Sequence, residues 1–448
     1  MTTAEFASLL LGAARDHVRP DIVEAARLRI FDTLGTGAVG LHTDEGQAIR
    51  QIVGASPKAW KHLAAEDLIR LLAVAIRCTE IDDINVDSCT TVGSVVVPAA
   101  LAAARIHPGT NGGDLLAGIT AGYEAMVRLG EAIGGASILY RGVWPTYVTA
   151  PFAAAATAAA IWKLKPRQTA NALSLALART SILTTAALNG VSPRSWLLAM
   201  ACCEGYAAAR AAASGLGGTG NELEAFSARL GIVLDSGILL REMSGQPAIL
   251  RIDAKPYPTA RQSLSAIEAF RAKLPLAHAP EEIAGIEVRV PEQVRAMIAR
   301  PPKGRIDSMV SVAYQMALAA YAPERLHDVL RAELLQDADI LAFMDKVNIV
   351  ADPDLTARFP AVWGARVRIR RASGDEDVSE VLNPVGSAIH RFGWDGVAEK
   401  LATILRASGA GVSGAIEPLE RECRTLAALG NDGPAQRLWE RFLDLSGL

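Results

Sequence analysis

Three acids in four positions, Glu80, Asp82 and Asp83, open the stretch Glu80–Ala103, EIDDINVDSCTTVGSVVVPAALAA. A polar turn rich in hydroxyls follows from Asn85 to Ser94, with Gly93 as its pivot, and an apolar helix resumes at Pro98. Elsewhere the chain is dominated by Ala and Leu. An acidic, hydroxyl-lined interruption in such a chain reads as the wall of a pocket for a small, carboxylated molecule. Taken alone, it also fits a solvated connection between two helices.

Three further stretches set cations in loops. In Tyr140-Arg141-Gly142-Val143-Trp144-Pro145-Thr146, an Arg beside Gly could fork onto a carboxylate or lie on the surface. In Asn189–Trp196, NGVSPRSW, Arg194 sits just inside a helix start. That is a ready anion site, or a solvated helix end. In Ala254–Arg261, AKPYPTAR, two prolines stiffen the chain around Lys255 and Tyr257. Lys255 could there bind a carboxylate or, once partly desolvated, act as acid or base. A solvated Lys is the plain alternative.

Other chemistries lack their residues. The seven histidines, His17, His42, His62, His107, His278, His327 and His390, form no pair at a metal-ligand spacing, and there is no HExxH or CxxC. No metal site is expected. His107-Pro108-Gly109 reads as a loop between helices. Gly215–Asn221, GLGGTGN, follows a helix rather than a strand, so it lacks the order of a dinucleotide site. No GxSxG elbow is present.

The elements that must hold these loops are mostly helices. Half of the 448 residues are hydrophobic but only 5% aromatic, so Ala, Leu and Val must build close-packed helices. Helical spacing runs through Ile22–Val39, Ala64–Arg77, Val95–Arg105, Gly113–Ile133, Ala150–Leu164, Arg167–Thr180 and Ser195–Ala213. The most apolar run, Tyr147–Trp162, is too short to span a bilayer and reads as a buried helix. The texture changes near Pro247. Ile283–Val290, Val347–Asp352 and Val367–Arg371 read as strands. Between them Ser308–Tyr321, Pro323–Glu333 and Asp337–Met344 read as helices, as do Trp394–Ser408 and Glu417–Ala428 after Pro384.

This predicts a mainly α protein with a smaller α+β part. The expected bounds are 1–250 for the helical domain, 251–390 for the α+β domain and 391–448 for a helical return to the first. A formal net charge of −3 without like-charge blocks argues against nucleic-acid or anionic-membrane partners. The five cysteines are odd in number, and adjacent Cys202–Cys203 suit a helical core. Reduced thiols and a cytoplasmic location are expected. The N-terminal run MTTAEFASLLLGAARDHVRP shows no signal-peptide pattern.

Taken in order, Arg27–Gly40 (RLRIFDTLGTGAVG), GSVVVPAALAAA, Gly122–Gly130 (GYEAMVRLG), RGVWPT before an Ala-rich helix, KPYPTAR and Ser311–Ala319 (SVAYQMALA) resemble the MmgE/PrpD family over nearly the whole chain. That family includes 2-methylcitrate dehydratase, cis-aconitate decarboxylase and iminodisuccinate epimerase. The resemblance implies a helical domain made of both chain ends, an inserted α+β lid and a homodimer. It also implies cofactor-free chemistry on small di- or tricarboxylates.

Carried over residue by residue, Glu80 stands at the family's first acid and Asp82-Asp83 at its acid pair. Thr91-Val92 stands where His-Pro is usual, ahead of Gly93-Ser94. Trp144 replaces a second histidine and Leu264 a third. Arg194 stands at the family's helix-start lysine, Lys255 and Arg261 match its loop, and Tyr314 matches a lid tyrosine. The anion-binding side is kept while the imidazoles are gone.

The expectation is a lyase or isomerase acting on a small carboxylic acid by dehydration, decarboxylation or epimerisation. Lys255 and Arg194 would clamp carboxylate, Tyr314 would donate a proton, and Glu80 or Asp83 would serve as base. Asp82, Thr91, Ser94, Tyr140, Arg141, Trp144 and Arg261 would complete the binding site. Different chemistry on a less polar substrate in a biosynthetic pathway, or a non-catalytic member, are the alternatives.

Overall fold

The computed structural model describes residues 3–15, 19–54, 63–107, 109–180, 193–241, 246–274, 280–298, 302–426 and 433–448. His17, His62, His278 and residues 189–192 of the NGVSPRSW loop lie outside them. Helices dominate, and one four-stranded sheet is present among the described residues.

The alanine-rich helix Pro145–Ile161 lies at the centre of the larger part, and every one of its residues is buried. Helices Gly93–Ile106, Gly112–Ala132 and Pro193–Ala213 surround it. Small side chains let these axes come close. A Cβ on Gly205 would sit 2.0 Å from the Pro151 carbonyl oxygen, and one on Gly122 would sit 2.2 Å from Thr157 Oγ1. Cys202 and Cys203 are buried within this core, and all five cysteines are free thiols.

The chain ends join in the same core. Helix Pro20–Gly40 packs against Trp394–Ser408, Ile416–Thr425 and Pro434–Ser446. Phe31 stacks on Trp394 at 5.7 Å. A buried ion pair, Lys400 Nζ to Asp32 Oδ1 at 2.5 Å, crosses this seam.

The second core is built on the sheet. Strands β1 (Ile283–Val290), β2 (Val347–Ala351), β3 (Ala365–Arg371) and β4 (Glu376–Val381) lie in the order β2-β1-β3-β4. The β1–β2 pair is parallel and the others are antiparallel. Period-2 alternation turns Ile286, Val288, Val367 and Ile369 inward, where they pack with Phe270, Val312 and Phe343. Helices Arg261–Arg271 and Val312–Tyr321 supply that packing.

Several elements differ from expectation. β4, EDVSEV, is an edge strand with no fully buried residue, so it has no apolar alternation to read. It is held by pairing with β3, where Arg370 faces Glu376 and Arg366 faces Glu380. Pro323–Glu333 is not one helix but two 3₁₀ turns, Pro323–His327 and Ala332–Gln336. Between them the Val329 amide donates to Ser408 Oγ at 3.0 Å rather than to a helical carbonyl. The helix at the acidic turn begins at Gly93, so Pro98 lies inside it. The final helix, Pro434–Ser446, falls within the expected helical return over 391–448 but has no counterpart among the individual helices read from spacing.

Candidate active site

The acidic turn leaves helix Ala65–Arg77 and folds back on itself. Asn85 pairs with Thr90, and Ile84 pairs with Asp253, both as backbone bridges. Glu80 and Cys89 adopt φ of 56° and 55°, a left-handed conformation that non-glycine residues rarely take. Asn85 locks the turn: its Nδ2 donates to the Arg251 carbonyl at 2.8 Å and its Oδ1 accepts from the Ser88 amide at 2.8 Å.

This geometry gathers buried cations around Glu80. Arg77 Nη1 lies 3.0 Å from Glu80 Oε1 and 3.1 Å from Asp82 Oδ1. Arg194, from the start of helix Pro193–Ala213, also reaches Glu80 Oε1. Lys255 Nζ donates to the Glu80 carbonyl at 3.1 Å and lies 3.4 Å from Asp82 Oδ1 and 3.6 Å from Glu80 Oε2. All five side chains are almost completely buried. Burial and the neighbouring Arg77 and Arg194 outweigh the attraction of Asp82, and the Lys255 ammonium pKa is lowered to about 8. Burial also drives the Arg194 guanidinium well below its ordinary value, with Arg77 and Arg305 adding to the effect.

The Lys255 loop is itself clamped. The Ala254 amide donates to the Gly386 carbonyl at 2.7 Å. Asp253 accepts from the Ala388 amide at 2.7 Å and from Arg261 Nε at 2.7 Å. Arg331, fully buried, donates to the Pro258 carbonyl at 2.9 Å. At the other end of the site, Arg305 pairs with Glu45 at 2.5 Å and donates to the Cys78 carbonyl at 3.0 Å. That contact ties the smaller part of the molecule to the root of the acidic turn.

These groups enclose a small cavity, one that admits the centre of a water molecule over about 30 Å³. Arg77, Glu80, Arg194, Lys255 and Arg261 form its charged side. Ile84, Cys89, Leu139, Trp144, Met297 and Val310 form its apolar side. Ala260, Arg261, Gln262, Met297 and Val310 come from the later part of the chain, so the cavity lies where the two cores meet. Arg194 lies 5.5 Å above the Trp144 ring. The Thr91 amide donates to Thr146 Oγ1 at 3.1 Å, fixing the two loops to each other, and Thr91 and Thr146 are on the wall. Burial pushes the Cys89 thiol up to about 12, so it is no thiolate nucleophile.

Of the residues singled out from sequence, the structure brings Glu80, Asp82, Thr91, Trp144, Arg194, Lys255 and Arg261 to this cavity or directly beneath it. It places the others elsewhere. Asp83 turns toward the helical core, where it accepts from the Gly93 amide at 2.7 Å and the Tyr123 hydroxyl at 2.6 Å. Ser94 is buried and donates to the Thr91 carbonyl at 3.3 Å. Tyr140 packs edge-on against Phe359 at 5.7 Å. The Arg141 side chain is exposed and reaches the Gly231 carbonyl at 3.4 Å. Tyr314 is buried in the second core, with its hydroxyl in electrostatic contact with Arg331.

Arg77 was not anticipated. Its only signal was a cation ending the apolar run LLAVAIR, three residues before Glu80. Among the described residues no histidine lies on the cavity wall. His327 stands behind the Tyr257 ring at 5.6 Å, and burial lowers its pKa to about 4. No cluster of three or more His, Cys, Asp or Glu side chains among the described residues could hold a metal, and no described helix is long and apolar enough to cross a membrane.

Comparison with known proteins adds a family. The profile of the MmgE/PrpD N-terminal domain matches residues 4–233, and that of the MmgE/PrpD C-terminal domain matches residues 257–416. Among curated proteins, cis-aconitate decarboxylase-like protein oryM of Aspergillus oryzae is 26% identical over 206 residues, 43% of this chain and 43% of that protein. A cis-aconitate decarboxylase of Aspergillus terreus is 27% identical over 207 residues, 43% of this chain and 42% of that protein. The matched stretch is therefore less than half the length of either relative.

Proposed function

The chain belongs to the MmgE/PrpD family, and from that membership we propose that it is a lyase of the dehydratase or decarboxylase type acting on a small carboxylic acid. The observation that carries this reading is the cavity itself. Three buried cations, Arg77, Arg194 and Lys255, are in contact with only two carboxylates, Glu80 and Asp82, at the charged end of the cavity. One positive charge is left over for an acid to neutralise.

Both reactions pass through a carbanion whose charge spreads onto a carboxyl or carbonyl oxygen. Arg77 and Arg194 are placed to stabilise that oxygen with charge-assisted hydrogen bonds in a water-poor site. Lys255 is the proton donor. In decarboxylation its proton goes to carbon after CO2 departs. In dehydration it goes to the departing hydroxyl, which leaves as water, while a carboxylate takes the proton from the neighbouring carbon. Glu80 is the carboxylate on the cavity wall, so it takes the base role in this scheme and Asp83 takes none. The ammonium, with a pKa of about 8, is protonated at neutral pH yet a far stronger acid than an ordinary lysine.

The test is product formation from a panel of hydroxy and unsaturated acids, followed by NMR in D2O. Lys255→Met is expected to lower turnover by about 10²–10⁴-fold while circular dichroism stays unchanged. Wild-type activity should hold below about pH 8 and fall above it, as the ammonium loses its proton. Lys255→Arg, whose charge persists, should move any residual fall to higher pH. Full turnover in Lys255→Met would end this assignment. Absence of both product and deuterium exchange across the panel would favour a non-catalytic member.

A further inference from the structure

We infer that the acid bound here carries a single carboxylate on a short apolar arm, rather than two or three carboxylates. The inference rests on the reading of the cavity as the carboxylate site and specifies which acid that site selects.

The argument is a charge count in a place where charge is costly. Burying an uncompensated charge disfavours binding far more than losing a contact does. Arg77, Arg194 and Lys255 face Glu80 and Asp82. Arg261, also on the wall, is already matched by Asp253 at 2.7 Å. Among the described residues on the wall and their ion-pair partners, the surplus is one positive charge. Farther out, Arg305 pairs with Glu45, and Asp307 is half-exposed, where solvent screens it. Residues 181–192, which precede the Arg194 helix in the chain, contain no charged side chain. One carboxylate therefore completes the cluster. Among the described residues on the wall, a second would find no surplus charge to receive it.

Shape and polarity agree. The rest of the wall is largely apolar: Ile84, Cys89, Leu139, Trp144, Met297 and Val310. The Cys89 thiol stays protonated, so none of these six side chains carries charge. A methyl or short alkyl arm fits such side chains, whereas a second carboxylate would lose its water and find only the neutral Thr91, Thr146 and Gln262 beside it. The small volume excludes long chains as well.

Crotonate and fumarate make the test direct. They share length, geometry and one carboxylate, and differ only by a methyl in place of the second carboxylate. Titration calorimetry at pH 7 on the wild-type protein should show crotonate binding at least about tenfold tighter than fumarate, one decade being about 1.4 kcal/mol. Glu80→Gln adds one surplus positive charge and should shift the ratio toward fumarate by about tenfold or more. Asp82→Asn does the same from the other carboxylate and serves if Glu80→Gln melts early. Fumarate binding as tightly as crotonate to the wild type overturns the single-carboxylate inference and leaves the carboxylate site standing. An unchanged ratio in both variants overturns the charge count. Failure of either acid, and of citrate, to bind at millimolar concentration overturns the carboxylate site itself.

Discussion

Arg77 shows how one side chain can set the character of a site. It bridges Glu80 and Asp82 from within the helix that leads into the acidic turn. Removing it by Arg77→Met would strip Glu80 and Asp82 of contacts at 3.0 and 3.1 Å and use up the surplus charge, leaving Arg194 and Lys255 to do no more than balance the two carboxylates. The expected result is a loss of about 1–3 kcal/mol of stability, measured by urea unfolding, together with loss of carboxylate affinity. Unchanged stability would mean that the pair is solvated and not buried. Arg77 escaped notice because a helix-terminal Arg in a sequence looks like any surface cation. Lys255 was easier, since the two prolines that follow it, Pro256 and Pro258, mark a stiff loop. Asp83 reads like a site acid because it stands beside Asp82, yet the turn of the chain at that point sends neighbouring side chains in opposite directions. Asp83 instead holds the start of helix Gly93–Ile106 through the Gly93 amide.

Among the elements, the decisive pieces are two irregular loops held by backbone contacts. The acidic turn depends on left-handed Glu80 and Cys89 and on its bridge to Asp253. The Lys255 loop depends on the segment that returns from β4. Gly386 has φ of 82°, and a Cβ there would lie 1.9 Å from the Ala254 carbonyl oxygen. Gly386→Ala should therefore destabilise the protein by about 1–3 kcal/mol and shift Lys255 out of register with Glu80. Thermal melting reads the first effect and crotonate affinity the second. A variant with unchanged melting and binding would show that the return segment does not position the loop. The regular elements were legible from apolar spacing, with Trp394–Ser408 and Ile283–Val290 found at their expected bounds. β4 was not legible, because an edge strand with charged residues on its exposed side has no periodic apolar face.

For the molecule as a whole, the cavity exists because two cores meet and because distant parts of the chain are held together. The seam between the chain ends contains the buried Lys400–Asp32 pair. Burial lowers the Lys400 pKa, while Asp32 beside it favours the charged form. Lys400→Ala leaves Asp32 buried without its partner and should cost about 3–5 kcal/mol. Lys400→Ala with Asp32→Ala should recover part of that loss. A double-mutant cycle by denaturant unfolding measures the coupling, and a coupling near zero would remove the pair from the account of how the ends are joined. Arg305 plays the corresponding part on the other side, reaching from the smaller part of the molecule to Glu45 and the Cys78 carbonyl.

What the amino-acid sequence determined by itself was the material: an alanine-rich helical core, a short strand-forming insertion, and a set of acids and cations confined to a few loops. Apolar periodicity is a local property, so it can be read without knowing the fold. Which charges meet is not local. Glu80, Arg194 and Lys255 are far apart in the chain, and their encounter depends on how helices cross and how loops are clamped. The surplus of one positive charge, on which the proposed chemistry turns, is a property of that encounter. It follows from burial, since only charges taken out of water together must be balanced against one another.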